Sequence, residues 1–364
     1  MLQQYFETLT DPREKHKVQH NLIEIVVMTI CAVVAECEAW YQIVHYCRTK
    51  ERWFRKRLKL KLLNGIPSHD TFERVFSLID PKEMERCFFL WTGAVSDLTK
   101  GEIVSIDGKT LRGSRNAENK AIHMVSAWAN RNRMVLGQVK TDEKSNEITA
   151  IPTLLEMLEL KGCIVTIDAM GCQKAITRKI TEKKADYVLG LKGNQESIHD
   201  DVRLYFENEK VAQTVTTREK GHGRVETRSY FLETELDWLY QKPDWAGLNA
   251  IGAVKSRVWE KDALREETRY FITSLRDVKL FAEAVRGHWC IENSLHWTLD
   301  VAFNEDNSRI RKDNSGENFA VIRHIALNLL KQDDAKMSVK ARRHRCAYDD
   351  DYLCKILFSS NSNA

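Results

Sequence analysis

Four things are missing from this chain, and each absence narrows what it can be. No apolar run is long enough to cross a bilayer. The longest, Ile25 to Ala35, falls well short of the ~20 residues a membrane helix needs, and the acidic, basic and aromatic residues before it form no cleavable leader pattern. No two cysteines stand at C-x-x-C spacing. The nine are an odd, scattered set, which argues against both a disulfide framework and a zinc ribbon; reduced, structural thiols in a cytoplasmic protein with no membrane partner are the expectation. No single sign of charge dominates: 56 Lys and Arg face 52 Asp and Glu, a net charge of +4. The molecule is therefore not a polycation, and a nucleic-acid surface would have to be local. No repeat or low-complexity segment is visible.

What is present is a globular chain of 364 residues, 43% of them hydrophobic, enough for one large domain or two ordinary ones. Positive charge is concentrated twice. Residues 48–61 hold eight Lys or Arg against one Glu, with Trp53 and Phe54 interleaved. In this run Arg55, Lys56 and Arg57 are candidate phosphate contacts and the aromatics a candidate anchor. Residues 340–345 form a second basic cluster. The competing reading of each is a solvated helix face.

Helical spacing of apolar residues runs from Asn21 to about Leu63 and resumes after Gly65-Ile66-Pro67, with Ser68 as N-cap. The first hundred residues thus read as a small all-helical domain. From about residue 102 the character changes to β-branched runs: Ile103–Ile106, Ile122–Ala129 and Met134–Val139 read as a meander. A helix (Thr149–Leu160), a strand (Cys163–Ile167), a helix reaching Lys184 and a strand (Tyr187–Leu191) follow. This succession specifies a mixed α/β sheet covered by helices. Between about 196 and 270 the pattern is β-rich and less regular, which reads as an insertion. Helix resumes at Val278, continues past Trp297, and returns as an amphipathic segment from Asn318 to Leu330.

Two strands rhyme. Ile103-Val104-Ser105-Ile106 and Ile164-Val165-Thr166-Ile167 each run into an Asp followed by a small residue, Asp107-Gly108 and Asp168-Ala169. An acid there is costly unless paired or bound to a cation, so two matched ones point to a shared divalent metal; alternatively each begins a turn or caps a helix. A third acid, Glu292, shares a helix face with His288 and His296 at four-residue spacing. Imidazole would suit zinc, but with two distant aspartates available a hard cation is favoured and the histidines are read as DNA contacts or supporting partners. Asp300, Glu305 and Asp306 are rivals for the third position and rank below Glu292. Asp70 reads as a helix N-terminal charge.

With these residues in view, the chain resembles transposases of the ISAs1 group within the IS4-like DDE transposases, and the H-repeat-associated proteins linked to Rhs elements. The resemblance covers nearly the whole chain: Asp11-Pro12-Arg13, Gly65 to Phe72, Asp107-Gly108-Lys109, Asp168-Ala169-Met170, Leu191 to Gln195, His222-Gly223-Arg224 and His288 to Asp306, in that order. It implies an RNase H-like catalytic core from 101 to 364, with Asp107 on the first strand, Asp168 on the fourth and Glu292 on a helix beyond the β-rich insertion. It also implies a helical region (1–100) that recognises element ends. Three carboxylates would hold two Mg²⁺ or Mn²⁺ ions for an in-line displacement at phosphorus. Double-stranded DNA is the implied partner, bound by a homodimer, with the protein nucleoid-associated when on DNA. One departure concerns the Tyr, Arg and Lys that many IS4-like enzymes carry around this Glu. Here Val285, His288 and Leu299 stand at those positions. Phosphate contacts are then expected from Arg286, His288, His296 or Lys192, with Lys109 and Asn194 in the neighbouring motifs; His222 and Arg224 serve either the insertion's turn or DNA. Two other readings stay open: a metal-dependent nuclease without strand transfer, and a non-catalytic DNA-binding descendant of a transposase.

Overall fold

The computed structural model describes residues 2–115, 120–141, 147–211, 213–221, 224–260 and 263–358. It begins with the expected helices: α1 (Leu22–Val34), α2 (Trp40–Thr49), α3 (Glu51–Arg57), α4 (His69–Leu78) and α5 (Pro81–Val95). Their starts are chemically marked. The Asn21 side chain accepts from Glu24 N, Ser68 from Thr71 N, and Asp80 from Lys82 N with Pro81 in the first turn. The apolar run that was too short for a membrane is α1, buried along almost its whole length; among the described residues no helix is long and apolar enough to cross a bilayer.

Next come β1 (Ile103–Leu111), β2 (Ile122–Ala129), β3 (Met134–Lys140), α6 (Glu147–Met157), β4 (Ile164–Ile167), α7 (Lys174–Glu182) and β5 (Asp186–Leu191). The segment expected to be a β-rich insertion opens instead with a helix, α8 (Glu196–Asn208), before β6 (Gln213–Gly221), β7 (Arg224–Glu233), β8 (Ala250–Glu260) and β9 (Ala263–Thr273). The strands form one nine-stranded sheet in the order β3-β2-β1-β4-β5-β9-β8-β7-β6. Its first five positions are an RNase H-like arrangement: β1 lies parallel to β4, and β4 to β5, while β2 and β3 run antiparallel. Strand β9 pairs antiparallel with β5, so the extra strands extend the core sheet.

The register decides where the aspartates stand. Pairing of β1 with β4 ends at Ile106↔Ile167, which leaves Asp107 and Asp168 as the next residues on neighbouring strands. Strand β1 does not stop at Asp107, as its sequence implied, but continues beside β2 to Leu111.

Helix α9 (Val278–Cys290) leads through a π-helical turn, Ile291–His296, into α10 (Trp297–Phe303), followed by α11 (Ser315–Lys331), α12 (Val339–Tyr348) and α13 (Asp350–Phe358). Helix α11 covers the segment expected as an amphipathic helix from Asn318 to Leu330, but it shows no solvent face. It is buried on every side from Ser315 to Leu330, between the first helices and the sheet. Its polar residues are spent on backbone: Asn318 donates to Phe76 O and Ile79 O, and Asn328 bonds both N and O of Val135 on edge strand β3. One hydrophobic core joins Ile25, Phe54, Phe76 and Phe88 to Leu295, Phe319, Ile325 and Leu353, so the helical start shares its interior with the C-terminal helices.

Candidate active site

Asp107 reaches the site from a rigid strand, and Glu292 and His296 reach it from the π-helical turn. Strand β1 holds Asp107 opposite Ser126 of β2, one residue past the end of its pairing with β4, and Asp277 caps α9 by accepting from Lys279 N and Leu280 N. In a π turn the hydrogen bonds run i to i+5, which widens the turn and brings residues four apart close to alignment. One side-chain atom each of Asp107, Glu292 and His296 lies within 4.8 Å of the others. His296 is buried, and its Nδ1 is 3.6 Å from Asp107 Oδ2 and 3.6 Å from Glu292 Oε2.

Asp168 does not join that group. It is exposed, and its Oδ1 accepts from Met170 N at 2.9 Å and Gly171 N at 3.3 Å, so the turn-capping reading holds for this oxygen. It does line the same cavity of about 440 Å³, with Asp107, Lys192, His288, Trp289 and Glu292. His288 lies between the two halves, its Nδ1 3.0 Å from Thr166 Oγ1. Burial lowers its pKa, although the charges of Asp168 and Glu292 oppose the shift.

The acid pair is electrostatically uneven. Burial, then the adjacent Glu292, pushes the Asp107 carboxyl well above the usual carboxylate range, while the neighbouring His296 holds Glu292 below it. Two facing carboxyls, one half-buried (Asp107) and one exposed (Glu292), are relieved either by one shared proton or by a cation. A donor set of two carboxylates and an imidazole fits a divalent metal ion.

The positive residues picked out in the sequence separate into those at the site and those committed elsewhere. Lys192 is exposed on the cavity wall. Asn194 donates to Ala169 O at 2.8 Å and pins the turn that carries Asp168. Arg286 pairs with Glu219 at 3.1 Å. Lys109, expected at DNA, is instead withdrawn into a nest of acids, 12% exposed, bonded to Asp300 and at 2.8 Å to Glu305. This also engages two rivals of Glu292 for the third position. His296 is too buried to meet a phosphate from solution. In the basic run, Trp53 and Phe54 are core residues, which removes the aromatic anchor. Arg55 is bound to Glu51 and to the carbonyls of Lys61 and Leu62; Arg57 pairs with Asp351; Lys56 is exposed. In the second run Arg342 and Arg343 are buried. Arg224 is exposed at the start of β7, and His222 lies outside the described residues.

One feature of the site had no signal in the sequence. His123 Nε2 and Glu147 Oε1 stand 2.8 Å apart, with Thr110 Oγ1 2.9 Å from His123 Nδ1. The pair lies so close to Gly108 that a Cβ there would come 2.3 Å from Glu147 Oε1. Strand register sets His123 opposite Thr110, but only the packing of α6 brings Glu147.

Comparison with known proteins agrees with this architecture. The family described as "Transposase DDE domain" matches residues 98–329, and "DDE_Tnp_1-associated" matches residues 3–92. The chain is 43% identical to "Putative transposase YncI" of Escherichia coli O157:H7, over 98% of this chain and 94% of that protein. It is 38% identical to "H repeat-associated putative transposase YhhI" of Escherichia coli (strain K12), over 99% and 98%. A solved piggyBac transposase synaptic complex with hairpin DNA is a loose likeness only, with a TM-score of 0.44 and 10% identity over 98% of this chain and 81% of that one. A family match across most of the chain, joined to full-length relatives at this identity, means that the protein belongs to the DDE-domain transposases, with H-repeat-associated transposases among its relatives.

Proposed function

We propose that this protein is a DNA transposase that cuts and joins strands at the ends of an insertion sequence, with Asp107, Asp168 and Glu292 holding Mg²⁺ or Mn²⁺, two ions in all. The observation that carries the reading is the meeting of Asp107 and Glu292 from distant elements at one point, with Asp168 on the wall of the same cavity. Such ions, when bound, supply charge neutralisation for an in-line displacement at phosphorus, with water as nucleophile for a nick and a 3′-hydroxyl for strand transfer. The chain's part is positioning. Strand β1 fixes Asp107, the backbone amides of Met170 and Gly171 orient the Asp168 carboxylate, and the π turn presents Glu292. His288, its pKa lowered by burial, stands between Asp168 and Glu292 as a neutral imidazole. Lys192 is the cation on the cavity wall for a phosphate oxygen, and Arg286 can join it on leaving Glu219. Lys56 and Arg57, in the helical first hundred residues, are the contacts proposed for element ends, which a DNA-dependent dimer would hold as a pair.

The test is cleavage of a labelled plasmid bearing the flanking genomic ends, with Mg²⁺ or Mn²⁺. Nicking at the ends by wild type, lost in Asp168→Ala and Glu292→Ala, supports the proposal. Specific binding of the ends without cleavage by wild type replaces it with a non-catalytic DNA-binding protein. Sedimentation of the complex on paired ends tests the dimer; a strict monomer there refutes it.

A further inference from the structure

We infer that His296 is itself a ligand, giving a nitrogen to the divalent cation held by Asp107 and Glu292, so that this half of the site prefers Mn²⁺ to Mg²⁺. The inference rests on the function proposed above and adds a donor to it.

The competing role for His296 is that of a hydrogen-bonding or charged partner of the two acids, and the distances separate the two roles. An N–H···O bond spans 2.7–3.2 Å. His296 Nδ1 is 3.6 Å from Asp107 Oδ2 and also 3.6 Å from Glu292 Oε2, too far to bond either and equally far from both. Donors that share one ion at ~2.1 Å from it stand roughly 3 Å or more apart. A nitrogen standing slightly beyond hydrogen-bond length from both acids, with all three donor atoms within 4.8 Å of one another, is the arrangement of donors around a common centre.

Burial points the same way. The imidazole is 5% exposed, and its other nitrogen, Nε2, has no hydrogen-bond partner among the described residues. Its Nδ1, 3.6 Å from both acids, lies beyond hydrogen-bond length too, so the bare imidazole is buried without a close partner at either nitrogen among the described residues, and an ion at Nδ1 supplies one. The π turn adds a second reason: it brings His296 and Glu292 to one side of the helix, and π turns inside α-helices concentrate at functional sites. Asp168 lies outside this cluster and is exposed, so the two halves of the site differ in chemistry. The half at Asp168 offers oxygen. The half at His296 offers nitrogen and oxygen, a set that Mn²⁺ accepts more readily than Mg²⁺, which keeps to oxygen ligands.

The experiment uses the full chain without DNA, titrated with Mn²⁺ and followed by electron paramagnetic resonance. Continuous-wave spectra count the bound ion, and pulsed spectra report nitrogen directly coordinated to it. The expected result is Mn²⁺ bound with nitrogen modulation in wild type and in His288→Gln. In His296→Gln the modulation is lost and affinity falls by about tenfold or more. Mn²⁺ bound by wild type with oxygen coordination alone overturns the inference and leaves the transposase reading standing. No bound Mn²⁺, or binding indifferent to Asp107→Asn, overturns both. The wild-type spectrum is decisive by itself, even where the His296→Gln variant fails to fold.

Discussion

A single carboxyl on α5 illustrates how much one residue can impose on this protein. Glu85 is 7% exposed and has an Oε1 without a hydrogen-bond partner. Lys140 nearby is held by Glu317 at 3.1 Å, and Asp80 and Lys82 complete the charges around it. Burial, then Glu317, raises Glu85 from 4.5 to about 8. Between those values the unfolded chain has released its proton while the folded chain keeps it, so stability falls as pH rises, by up to ~1.4 kcal/mol per pH unit, and levels off above about 8. Glu85→Gln is expected to flatten thermal stability against pH across that window and to stabilise the protein at its alkaline end; an unchanged slope in calorimetry would refute the assignment. Gly108 is the other residue with no latitude, since a Cβ would meet both His123 Nε2 at 2.4 Å and Glu147 Oε1 at 2.3 Å. Gly108→Ala should cost about 1–3 kcal/mol through overpacking, and less in a Glu147→Ala background. Equal costs in the two backgrounds, by urea denaturation, would mean that the clash lies elsewhere.

Between elements, the decisive join is that of β1 to α10 and the turn after it. Lys109, two residues beyond Asp107, extends from the strand to Asp300 on the helix and Glu305 just past it, and Arg323 on α11 stands 3.7 Å from Glu305. Its ammonium is kept charged by these acids despite burial, its pKa raised rather than lowered. The helix that carries Glu292 and His296 is thereby tied to the strand that carries Asp107. Lys109→Met leaves Glu305 buried beside too little positive charge, and a broken buried pair costs about 3–5 kcal/mol. The variant should unfold at markedly lower urea and, where folded, nick DNA more slowly than wild type. Wild-type stability in Lys109→Met would show that the clamp contributes nothing.

At the scale of the molecule, the helical first hundred residues and the C-terminal helices form one interior. Besides the shared apolar core, Arg343 on α12 donates to Val33 O on α1 and pairs with Glu38 in the loop that follows. A chain cut at residue 100 would expose most of that surface and lose these partners. Such a fragment is expected to show no cooperative urea transition by circular dichroism, whereas the full chain shows one; a sharp transition in the fragment would mean that its helices fold alone.

Much of this architecture is legible residue by residue: the helical start, the capped helices at Asn21 and Ser68, and the succession of strands and helices over residues 103–191; the three acids singled out, Asp107, Asp168 and Glu292, line one cavity. These are local properties, because side-chain periodicity and turn chemistry are written into neighbouring residues. Other features depend on contacts between residues far apart in the chain and emerge only when it is folded. Lys109 reads as a surface cation until Asp300 and Glu305, almost two hundred residues on, close around it. Trp53, Phe54, Arg342 and Arg343 lie in basic runs yet belong to the interior. Helix α8 was hidden in a stretch whose β-rich remainder dominated its pattern. Helix α11 looked two-faced because its polar residues serve backbone groups of other elements, which no periodicity records. The same holds at the site. Four-residue spacing put Glu292 and His296 on one face, but the approach of both to Asp107 depended on packing a π turn against a strand, and no local pattern carries that distance.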